Sequence, residues 1–151
     1  MGRLYAITLS QAAITTAIDL FQVEPAADQP VWIRYIEVSQ GSDAGDAEAE
    51  MQEIEFRNYG TTAITTDASV KWGDNASIAF GGVAKSNQTR VTTGSSLIYA
   101  SAYNVQVPYI WIPTPELGIF VRGGDLFTVS LPTAPADSIT MSGTMIFEEV
   151  G

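Results

Sequence analysis

The chain of 151 residues contains no cysteine and no histidine. Without cysteine there is no disulfide, no thiolate metal ligand and no thiol nucleophile. Without histidine the commonest general base and the commonest zinc ligand are both missing. Positive charge is scarce: 7 Lys and Arg stand against 17 Asp and Glu, a net charge of −10. Such a surface repels phosphate backbones and anionic membranes, so neither nucleic acid nor a membrane is expected as a partner. No run approaches a membrane span. The N-terminal segment carries Thr8, Ser10, Gln11, Thr15 and Thr16, which does not read as a signal peptide.

These absences leave acid–base chemistry to carboxylates. Glu37, Glu53, Glu55 and Glu116 are available by number, but Glu53 and Glu55 share the polar face of one strand, where solvation explains them. The only lysines are Lys71 and Lys85, so the serines have no evident partner base. There is no phosphate loop and no dinucleotide fingerprint. The expectation is a protein that is not an enzyme, with no catalytic residue and no cofactor.

Apolar residues make up 46% of the chain and aromatics 10%, enough for a packed core in one domain spanning 1–151. No segment shows capping signals with a sustained helical period; Gln11 to Leu20 suits a strand equally well, and Ala47 to Ile54 suits at most a short helical turn. Strand candidates instead follow one another at short spacings. They are Leu4–Leu9, Ala17–Val23, Val31–Val38, Gln52–Asn58, Ala63–Trp72, Ser77–Phe80, Arg90–Thr93, Leu97–Ala100, Asn104–Ile112, Gly118–Arg122, Leu126–Leu131 and Ser138–Glu148. Gly123-Gly124-Asp125 reads as a hairpin turn. In the last segment Ile139, Met141, Gly143, Met145 and Phe147 share one face, and mid-strand Gly143 suggests a bulge or a close backbone approach. The stretch 58–95 is the loosest, a candidate loop or arm. The fold expected is all-β: a two-sheet antiparallel sandwich, jelly-roll-like, with Ile54, Phe56, Phe127, Val129, Leu131, Met141, Met145 and Phe147 in the core.

Three features bear on binding. Trp32, in a strand with Arg34 beside it, is expected in the core, with Arg34 as a cation–π or ion-pair partner, across an interface or within the chain. Tyr109-Ile110-Trp111-Ile112-Pro113 is too apolar for a strand with a wet face, so Tyr109 and Trp111 either fill the sandwich or anchor an interface. Asp43, Asp46, Glu48 and Glu50 lie in a segment with Gly41 and Gly45 that cannot pack. Solvation explains these carboxylates, with partner contact at Asp43 and Asp46 as one alternative and a calcium site formed by all four as the other; no metal is expected.

The run Gly41-Ser42-Asp43-Ala44-Gly45-Asp46-Ala47-Glu48 resembles a loop in a family of small tailed-bacteriophage structural proteins. So do Asp19-Leu20-Phe21, Pro25-Ala26-Ala27-Asp28-Gln29-Pro30, Ala102-Tyr103-Asn104-Val105, Pro113-Thr114-Pro115-Glu116 and the segment from Ala134 to Thr144. The resemblance covers nearly the whole chain and involves no catalytic motif. It implies a capsid decoration, or cement, protein: a virion structural protein made in the host cytoplasm. That protein would sit on the outer capsid surface, with the major capsid protein and copies of itself, as a homotrimer, for partners. The alternative is a tail-associated receptor- or glycan-binding jelly-roll module.

Overall fold

Along the C-terminal segment Ile139, Met141, Met145 and Phe147 are buried, while Thr140, Ser142, Thr144 and Ile146 are less covered. The period of two in the sequence is thus a strand with one face against the core. In a computed structural model, which describes residues 2–41, 50–64, 70–71 and 79–151, this strand is central to one of two antiparallel sheets. The strands are β1 (Arg3–Ile14), β2 (Ile18–Glu24), β3 (Val31–Gln40), β4 (Met51–Gly60), β5 (Val70–Lys71) and β6 (Val83–Thr89). They continue with β7 (Ser96–Asn104), β8 (Tyr109–Trp111), β9 (Ile119–Val121), β10 (Leu126–Leu131) and β11 (Ile139–Glu149). A 3-10 turn, Pro115–Leu117, is the only helical element among the described residues.

The first sheet has the order β5-β1-β11-β3-β8, with β9 also on β3; the second has the order β6-β2-β10-β4-β7. With β8 and β9 counted as one broken strand, β1, β11, β3 and β8–β9 face β2, β10, β4 and β7. That interleaving of early and late strands is the jelly-roll order. The stretch between β4 and β7 adds β5 beside β1 and β6 beside β2.

Between the sheets Phe21, Ile33, Ile36, Phe56, Phe127, Val129, Met141, Met145 and Phe147 are fully buried. All eight core residues expected from alternation are there. Gly143 marks a close approach: a Cβ on it would lie 2.5 Å from the Glu37 carbonyl oxygen.

Several expectations need correction. Arg122–Asp125 is a tight turn, closed by Asp125 N–H donating to the Arg122 carbonyl at 3.1 Å, with Gly124 at φ +79°. It is not a hairpin, because β9 belongs to the first sheet and β10 to the second. Met51 to Ile54 is strand, not a helical turn: Ile54 packs in the core, and cross-strand burial outweighs helix propensity. Within 58–95 the loop reading fails where β4 runs to Gly60 and β6 spans Val83–Thr89. Arg90–Thr93 is not a strand, nor are residues 63–64 and 79–80.

Candidate docking surface

β8 and β9 lie end to end on the outer edge of β3, one beside Ile36–Val38 and the other beside Val31–Ile33. Pro108 and Pro113 bracket β8, and proline cannot donate into a ladder, which keeps the strand short. Alternation then divides the side chains. Tyr109 and Trp111 turn inward onto Phe56, with ring centroids 6.5 and 5.4 Å away. Ile110 turns outward and is 53% exposed. Further along the same segment Ile112 is 69% exposed and Leu117 72%. Val107, in the turn before β8, is also exposed. Large apolar side chains following one another at one edge form a patch of the kind that marks interaction sites.

Next to it, Phe120 of β9 packs its ring 5.0 Å from that of Trp32. Trp32 is half-buried on the outer face of the first sheet, not in the core as expected. Ile33 and Ile36 are fully buried, and a register shift between Ile146 and Phe147 leaves Arg34 as the extra residue on β3. The Arg34 guanidinium lies 5.5 Å from the Trp32 ring, and its Nε donates to Glu148 Oε2 at 2.8 Å. Both expected modes of Arg34, cation–π and ion pair, are thus made inside one chain.

Of the residues expected at an interface, Tyr109 and Trp111 support the patch from beneath without forming its surface. Asp43 and Asp46 lie outside the described residues, as does Glu48. Glu50 is fastened locally: its Oε1 accepts from Gln52 Nε2 at 2.5 Å and from Ala136 N–H at 2.8 Å. Among the described residues no three potential metal ligands gather. The sequence marks the run containing Ile110 and Ile112 as too apolar for a wet face but points to Tyr109 and Trp111 as its anchors, and it does not mark Leu117 or Phe120. The signal was there in the Ile-Trp-Ile run, but which side of it faces out depends on Phe56 on another strand.

The polar side of the molecule is organised differently. Asp19, Glu55, Thr128 and Ser130 alternate with core residues and so point away from the core, yet they are buried. The connection from β6 to β7, residues 90–95, crosses over them from one edge of the second sheet to the other. Asp19 Oδ2 accepts from Val91 N–H at 2.9 Å and Gln22 Nε2 at 2.8 Å, and Oδ1 accepts from the Ser130 hydroxyl at 2.5 Å. Glu55, expected on a solvated face, instead takes Arg90 at 2.6 Å and Arg57 at 3.1 Å. Burial pushes the Asp19 carboxyl above its usual range, partly opposed by these hydrogen bonds. Burial likewise raises the phenols of Tyr103 and Tyr109.

On the outer face of the first sheet there is also an open groove of about 380 Å³, whose lining includes Thr8, Ser10, Glu37, Ser39, Ser142 and Thr144. The Tyr35 hydroxyl donates to Glu37 at 2.6 Å. Compared with known proteins, the chain matches no family model, no curated protein and no solved structure.

Proposed function

We propose that the protein is a structural component of a phage virion. It binds the outer surface of the capsid through the apolar edge formed by Ile110, Ile112, Leu117 and Phe120, and it stabilises the shell without catalysis. The observation that carries this reading is the exposure of Ile112 and Leu117, 69% and 72%, in the connection between β8 and β9, which themselves expose Ile110 and Phe120. The sequence resemblance to decoration proteins supplies the partner, the major capsid protein. A ligand that binds only the assembled shell stabilises that state by mass action.

The experiment is co-sedimentation with capsids lacking the protein. Wild type should pellet with them, and Ile112→Ser with Leu117→Ser should bind at least tenfold more weakly with an unchanged melting temperature. Equal binding by the variant would remove the edge from the interface. No binding by wild type would remove the capsid reading.

The groove lined by Thr8, Ser10, Glu37 and Ser142 favours a second reading, a glycan-binding module. Hydroxyls and a carboxylate suit sugar hydroxyls, but among the described residues no aromatic ring lines the groove for a sugar to stack on.

A further inference from the structure

The edge strands of a sandwich expose unpaired N–H and C=O groups, and proteins blunt them with charge, proline, bulges or brevity. In the first sheet β5 has two residues, and β8 and β9 have three each, with prolines between. In the second sheet β6 carries Lys85, and Asn87 at φ +55° interrupts its extended backbone. The remaining edge, β7, is unlike these. It runs nine residues, Ser-Leu-Ile-Tyr-Ala-Ser-Ala-Tyr-Asn, with no charge, proline or glycine. One irregularity, at Ile98, falls near its start and leaves Tyr99–Asn104 regular against β4. Among the described residues no strand pairs with its other side.

We propose that β7 is a self-pairing edge: two copies join it antiparallel about a two-fold axis through Ser101, merging two five-stranded sheets into one. Three observations select a second copy as the occupant. The open main chain calls for an extended strand. A chain with a net charge of −10 repels its own copies, and β7 is a long edge free of charge, so the approach is cheapest there. The strand is also complementary to itself. About Ser101, Ala100 meets Ala102 of the second copy on the exposed face, where small side chains let backbones close up, and Tyr99 meets Tyr103 on the core face. Leu97 and Ile98, 48% and 41% exposed, lie beside the seam. The contact is isologous and closes at two copies. The resemblance implies three.

This pairing concerns the isolated protein and stands apart from the capsid reading. Sedimentation velocity over a wide concentration range should give a dimer for wild type. Ala100→Lys with Ala102→Lys sets like charges opposite each other twice and should leave only monomer, with the melting transition of the monomer intact because both positions are exposed. Ala100→Lys with Ala102→Glu sets opposite charges across the same seam and should restore the dimer. Should the lysine pair fail to fold, Ser101→Cys decides, since the chain has no other cysteine and residues on the axis fall within disulfide reach. Oxidation should then yield a covalent dimer. A wild-type monomer or trimer, a lysine pair that still dimerises, a Lys–Glu pair that does not, or no cross-link would each overturn the pairing. A dimer that ignores capsids would leave it standing and remove only the capsid reading.

Discussion

The two long sides of the sandwich solve the same problem in opposite ways. On the β1–β2 side the chain closes itself. The excursion between β4 and β7 adds β5 and β6 and sends Phe80 into the core, 4.9 Å from Phe147 and 5.4 Å from Tyr5. Carboxylates of the sandwich hold its backbone: Glu24 accepts from Ile64 N–H at 2.8 Å, Glu149 from Gly81 N–H at 3.0 Å and Asp19 from Val91 N–H at 2.9 Å. On the β7–β8–β9 side no carboxylate among the described residues accepts from the main chain of β7, β8 or β9, and Leu97, Ile98, Ile110, Ile112 and Leu117 face solvent. Acidic residues thus serve the closed side as acceptors for main-chain N–H groups, while the open side presents apolar surface. An acidic composition read only as solubility misses that division of labour.

Truncation should expose the contrast most strongly. Phe80→Ala removes a buried ring that ties the excursion to the core and should cost about 3–5 kcal/mol in urea unfolding. Hydrogen exchange should speed up in β6 before β7 or β8. Leu117→Ala on the open side should stay within about 0.5 kcal/mol. Comparable losses at the two positions would erase the distinction between a closed and an open side.

A smaller effect is expected where the crossing segment is pinned. Glu55→Gln keeps an acceptor but removes the charge facing Arg90 and Arg57, whose side chains are only 24% and 18% exposed. Partial solvent access to both arginines limits the expected loss to about 1–3 kcal/mol. A change below about 0.3 kcal/mol would mean that the segment is held by Asp19 and packing alone.

Much of this architecture was legible in the sequence. Leu126–Leu131 and the alternation from Ile139 to Phe147 gave two strands and their buried faces, because a period of two survives whenever one face meets the core. Partnership was not legible. Gly123-Gly124-Asp125 has the composition of a hairpin turn, but turn chemistry does not say whether the next strand returns to the same sheet or crosses over. Trp32 was expected inside because it is large and apolar, yet Arg34 at a register shift and Phe120 from a distant strand give it a place outside. Val83–Thr89 is polar enough to read as loop, and it is a strand because β2 offers it an edge. Glu55 alternates as a solvated residue would, and nothing in its own strand announces that residues 90–95 cover it.

The subtlest test of the closed side is its response to acid. Asp19 is fully buried, and burial raises its carboxyl above the ordinary value near 4 that it has in the unfolded chain. Between those two values the folded protein binds the proton more tightly than the unfolded chain. Asp19 therefore contributes more stability as pH falls through that window, the full amount being present below the unfolded value and lost as pH rises through the folded one. Other carboxylates add their own dependence, so the quantity to measure is a difference. Melting curves of wild type and Asp19→Asn should be compared at steps from pH 7 down to about pH 4. The amide can still accept from Val91 and Gln22 and donate toward Ser130, so the variant should fold. The melting temperature of wild type minus that of the variant should increase steadily toward acid. A flat difference would show that hydrogen bonds to the ionised carboxylate balance its desolvation, and one that falls would show that they outweigh it, the clasp on Val91 then being strongest at neutral pH.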